Sequence, residues 1–124
     1  MKKILLLAVV LFVACSSPTP LTLQQVQTVI ATPDAEILNE STDPNHLLNR
    51  PNSYREKVIF TNGTIEVFAN QADAVRRKEY VDKMGLALPM VAEQSVVHKN
   101  VLLRVSNVVT PTEFAKMSDA LKAL

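Results

Sequence analysis

The 124-residue chain has no tryptophan, two glycines, one cysteine and only 5% aromatic residues. A single cysteine excludes a disulfide within the chain, so stability must come from a packed core and hydrogen-bonded backbone. Two glycines leave no material for a phosphate-cradling loop. The missing tryptophan argues against an aromatic sugar-binding platform. The two histidines, His46 and His98, are far apart, and neither has further ligands at metal-site spacing. His46, beside Asp43 and Asn45, reads as a solvated loop histidine, and His98, next to a turn, as an exposed one. No serine sits in a nucleophile elbow. Paired carboxylates such as Glu36/Glu40 and Glu79/Asp82 read as ordinary surface features. The expectation is therefore no catalytic residue, no metal, no cofactor and no enzymatic activity.

The chain also lacks a long apolar run. Its one candidate, Ile4 to Ala14, is too short to span a bilayer as a helix. It is preceded by Lys2 and Lys3 and followed by Cys15 and the polar Ser16-Ser17-Pro18-Thr19-Pro20. A basic start, an apolar stretch and a small residue before the break make up an export signal. Without Lys2 and Lys3 the formal charge falls from +1 to about −1, which leaves no electrostatic footprint for nucleic acid. Residues 15–124 suffice for one domain and are too few for two.

Past the tether, Thr22-Leu23-Gln24-Gln25 has the form of a capping box, and Leu23, Val26 and Ile30 follow at helical spacing. Residues 33–55 carry Asn, Asp, Ser, Thr and Pro without a sustained period and read as a long loop, with one extended piece near 35–39. A loop of this length in a small domain is a candidate site. Lys57–Thr61 and Thr64–Phe68 are β-rich runs joined by Asn62-Gly63, a strong hairpin signal. A helix capped by Asn70 follows, with Val75, Tyr80, Val81 and Met84 as its apolar contacts. Gly85 is expected to stop or bend it. Within it Arg76-Arg77-Lys78 spread too far around the axis to form one stripe, and with Glu79 and Asp82 nearby they read as a solvated face. Ser95–His98 and Val101–Val105 form a second strand pair around Lys99-Asn100. Thr110-Pro111-Thr112-Glu113 opens a final helix, buried through Phe114, Met117, Leu121 and Leu124.

These elements predict an α+β fold: a four-stranded antiparallel sheet of two hairpins with helices packed on one face. The order is β-β-α-β-β-α after an N-terminal helix. The expected divisions are residues 1–14 as signal peptide, 15–21 as cysteine and tether, and 22–124 as the domain. With helices on one face only, Phe68 and Leu102 would lie on the uncovered one. Together with His46 and Tyr54 of the long loop they are the candidate partner-binding residues.

Phe12-Val13-Ala14-Cys15 resembles the lipobox of bacterial lipoproteins, with Phe12 where that motif usually has leucine. The runs Arg77-Lys78-Glu79-Tyr80-Val81-Asp82-Lys83-Met84-Gly85 and Lys99-Asn100-Val101-Leu102-Leu103-Arg104-Val105-Ser106-Asn107 are similar to small bacterial lipoproteins of uncharacterised function. The resemblance implies acylation of Cys15 and a lipid-anchored extracytoplasmic domain, at the outer membrane in a Gram-negative cell, where Ser16 fits outward sorting. The alternative at Cys15 is plain signal cleavage leaving a free thiol. The functional expectation is a non-enzymatic interaction module of the cell envelope, attached to the membrane through Cys15. The alternatives are a small-ligand or metal-binding lipoprotein, and a prophage-type exclusion lipoprotein.

Overall fold

The computed structural model describes residues 19–30, 36–39 and 54–124. Helix α1 (Leu23–Val29) starts at Thr22, whose side chain accepts from the Gln25 N–H while the Gln25 side chain accepts from the Thr22 N–H. This reciprocal box satisfies two donors that a helix start otherwise leaves open. Strand β1 (Glu36–Asn39) precedes a hairpin of β2 (Glu56–Phe60) and β3 (Gly63–Val67). Helix α2 (Gln71–Ala87) is capped by Asn70, which accepts the Asp73 N–H at 2.9 Å. A short 3₁₀ turn (Pro89–Val91) leads to the second hairpin, β4 (Glu93–His98) and β5 (Val101–Ser106). Helix α3 (Pro111–Lys122) closes the order behind a capping box of Thr110 and Glu113.

The α+β class, the two antiparallel hairpins and the element order agree with expectation. The sheet gains a fifth strand, because the extended piece within residues 33–55 pairs antiparallel with β2. The strand order is β1-β2-β3-β5-β4, antiparallel throughout.

The helices do not all lie on one face. Val58, Phe60, Ile65, Val67, Val101, Leu103 and Val105 pack with Leu23, Val26 and Leu121 of α1 and α3. The alternate positions, Phe68, Leu102 and Val97, pack with Ala74 of α2 and with Tyr54. The period-two reversal of strand side chains accounts for the arrangement: one set of positions serves α1 and α3, the other serves α2. The result is three layers, with the sheet covered on both sides.

The first turn sits one residue before the Asn62-Gly63 that the sequence suggests, whereas the second falls on Lys99-Asn100 as expected. Phe60 pairs with Gly63, so Thr61 and Asn62 form the first loop, and Asn62 takes the left-handed φ of 64°. In the second loop Lys99, not Asn100, has the positive φ, 51°. Asn100 is instead buried, and its side chain holds the chain's N-terminal segment. Its Oδ1 accepts the Leu21 N–H at 2.7 Å, and its Nδ2 donates to the carbonyls of Leu21 and Phe68, both at 2.9 Å. This clamp ties positions 79 residues apart and fixes where the N-terminal segment joins the domain.

Helix α2 passes through Gly85 without stopping and ends at Ala87. Its buried line is Ala74, Arg77 and Val81; Val75, Tyr80 and Met84, expected inside, are substantially exposed.

Candidate functional site

The layer between α2 and the sheet is built around a charged group. Glu66, on the α2-facing side of β3, has no solvent exposure. Its Oε2 accepts from Arg77 Nε of α2 at 3.1 Å, and its Oε1 from Arg104 Nη1 of β5 at 2.6 Å. Arg104 also donates from Nε and Nη2 to Glu93 of β4, at 2.7 and 3.0 Å. An unpaired buried carboxylate would be costly, and the two guanidinium groups supply its charge partners and its hydrogen bonds together. Burial opposes the charged form of Arg104. The hydrogen bonds it donates to Glu93 and the charges of Glu66 and Glu93 outweigh it, raising the pKa above the ordinary arginine value. Arg77 is thus no part of a solvated basic face; it is 8% exposed and ties α2 to the sheet.

This network borders an open groove of about 230 Å³ between α2, the 3₁₀ turn and the sheet. Arg77, Tyr80, Val81, Met84, Val91, Glu93 and Arg104 line it. The Arg77 guanidinium lies 5.4 Å from the centre of the Tyr80 ring, within cation–π range. The two carboxylates have both oxygens engaged, and Arg104 has all three nitrogens engaged. Arg77 differs. Only its Nε has a partner among the described residues, and neither terminal nitrogen is sealed from solvent. Its fork of terminal N–H donors is the unused polar capacity of the groove.

Apolar side chains crowd the same end of the molecule. Tyr80, Met84, Leu86, Leu88, Met90 and Val91 are all exposed, Leu86 by 84% and Met90 by 89%. A second depression, about 500 Å³, lies at the opposite end around Leu21, Phe68, Ala69 and Asn100. It surrounds the clamp on the N-terminal segment.

The residues named from sequence stand elsewhere. Phe68 and Leu102 are 1% and 0% exposed, covered by α2, and so offer no free sheet face to a partner. Tyr54 is buried in the same cluster, with Lys57 Nζ 5.1 Å from its ring centre. His46 and Cys15 lie outside the described residues. His98 is half-buried rather than exposed, and its Nε2 is shut off from water without a hydrogen-bond partner among the described residues. Sequence reasoning missed Glu66, Arg77 and Arg104 as a unit. The one local signal was that Glu66 and Arg104 alternate onto the same strand faces as the apolar Phe68 and Leu102, which reading those faces as uncovered left unused.

Among the described residues no three His, Cys, Asp or Glu side chains gather as a metal site would require. Comparison with protein-family models, with curated proteins and with solved structures finds no match for this chain.

Proposed function

We propose that the chain is a lipoprotein attached through Cys15 to the outward face of a membrane, acting as a non-enzymatic module that binds another envelope protein. The observation carrying this reading is the run of exposed apolar side chains from Tyr80 to Val91. Soluble surfaces seldom keep such a cluster without a use for it. It replaces the sheet face centred on Phe68 and Leu102 as the contact surface.

The geometry suits a tethered binder. Six residues lead from Cys15 to the clamp at Leu21, a reach of about 20 Å at most. Helix α2 begins beside that clamp, since Asn70 follows Phe68, and its 17 residues extend about 25 Å away from it. The apolar cluster therefore sits at the end remote from the tether. There it faces the envelope space and a partner, not the bilayer that holds the anchor.

Two labels test the reading in cells producing the full chain. Incorporation of a fatty-acid analogue should depend on Cys15 and disappear in Cys15→Ser. A photocrosslinking residue at Met90 should capture one defined envelope protein, and Leu86→Ser should weaken that capture. Failure to incorporate the label removes the anchor. An absence of any Met90 adduct in correctly folded, anchored protein removes the binding module.

A further inference from the structure

Arg77 is more than nine-tenths buried, and among the described residues its two terminal nitrogens have no hydrogen-bond partner. A guanidinium hydrogen-bonded through Nε and set over the Tyr80 ring is held in one orientation, with its terminal N–H groups free to bind. That fork matches the geometry of a carboxylate, which it can bind through two parallel hydrogen bonds. The charges agree. Two arginines, their side chains 9% and 18% exposed, flank the enclosed Glu66, and the offsetting Glu93 is the most exposed member of the network at 26%. Glu93 is also spent on Arg104, so it does not compete for the free side of Arg77.

The rest of the lining is apolar: Tyr80, Val81, Met84 and Val91. At about 230 Å³ the groove falls below the ~300–1,000 Å³ typical of sites that enclose a whole small molecule. It has room for one apolar side chain with a carboxylate beside it. Leu88 and Met90, exposed next to Val91, extend an apolar path outward from the mouth.

We propose that this groove captures the C-terminal residue of a partner polypeptide, the terminal carboxylate on Arg77 and the last side chain, apolar, against Tyr80, Met84 and Val91. Capture of a chain terminus by oriented donors is an established mode of peptide recognition. The proposal rests on the binding-module reading and gives the partner's contact a chemistry. A free fatty acid shares the carboxylate, but its acyl chain would exceed the groove.

Methionine methyl NMR on the full chain in nanodiscs tests it, because Met84 lines the groove while Met117 packs in the core on the other sheet face. The probes are the tripeptide Gly-Ala-Leu with a free carboxylate, the same peptide as its C-terminal amide, and octanoate. The free acid should shift the Met84 methyl and leave Met117 in place. The amide should bind about tenfold more weakly or worse, having lost a charge-assisted pair. Val91→Glu, an exposed substitution at the mouth, should abolish the Met84 shift without moving Met117. Arg77→Lys should weaken the acid toward the amide, with Met117 again reporting the fold. Equal binding of acid and amide, a Met84 shift from octanoate as large as from the peptide, or no shift from the acid would each overturn the proposal. A defined Met90 adduct in cells, together with any of those results, would leave the module standing and remove only terminus recognition.

Discussion

Arg104 Nη1 lies 2.6 Å from Oε1 of Glu66, a carboxylate with no exposure to solvent, reached from a strand 38 residues further along the chain. Arg77 closes on the other oxygen from α2. The pairing binds β3, β5 and α2 into one layer. It also explains why a helix with few buried apolar residues stays docked.

Removing the central charge while keeping the side chain's shape leaves two buried arginine charges without a counter-charge between them. Glu66→Gln should therefore cost about 3–5 kcal/mol of folding stability, the range for breaking a buried ion pair from one side. Urea denaturation measures it directly. Joint replacement by Glu66→Leu and Arg77→Met, which leaves Arg104 to Glu93, should cost less than Glu66→Gln alone. A double variant weaker than the single would refute this account.

Helix starts and the core facing α1 and α3 were legible in the sequence because their signals are local. Thr22 with Gln25 and Thr110 with Glu113 lie three residues apart, and Val101, Leu103 and Val105 alternate within one strand. The opposite face was not legible. Glu66, Arg77 and Arg104 each look like surface residues until the fold brings them together, and the cost of burying each is offset only by the others. Asn100 was legible only as a turn residue for a related reason: its buried role is set by Leu21, far away in sequence. Of the site, Tyr80 and Met84 were noticed, but as core residues.

Asn100 is the predicted control point for the N-terminal segment. Asn100→Ala removes two donated bonds and one accepted bond, leaving the Leu21 N–H and the Leu21 and Phe68 carbonyls in want of partners. A loss of about 2–4 kcal/mol is expected, given roughly 1–3 kcal/mol for each buried group left unsatisfied and partial rehydration. Amide hydrogen exchange should accelerate at Leu21 and Leu23 before it does in β5. Uniform acceleration would mean that Asn100 supports the whole fold and does not act as a local clamp.

Gly63 is required by its neighbour across the hairpin. A Cβ there would stand 2.2 Å from Cζ and 2.5 Å from Cε2 of Phe60, and 3.0 Å from the Arg104 carbonyl. The Phe60 ring is buried over the glycine and cannot swing aside freely. Gly63→Ala should destabilise by about 1–3 kcal/mol through overpacking. Adding Phe60→Leu should recover part of that loss, so the two changes should be non-additive in thermal denaturation. Strict additivity would show that the ring is not the obstacle.

His98 should make stability fall on mild acidification. Burial lowers its pKa from the ordinary 6.5, and the charges of Lys99 and Lys122 lower it further. Among the described residues its Nε2 has no partner to compensate. The unfolded chain therefore takes up the proton at a higher pH than the folded one. The stability contributed by neutral His98 is fully present above the unfolded value near 6.5 and is lost as pH falls through the lower folded value. Below that both states are protonated and the His98 contribution levels off. Urea midpoints measured from about pH 7.5 to about pH 5 should decline through this window and flatten in His98→Leu, which keeps the site apolar. A slope that survives in His98→Leu would assign the effect to carboxylates, whose folded-state pairing is lost at lower pH.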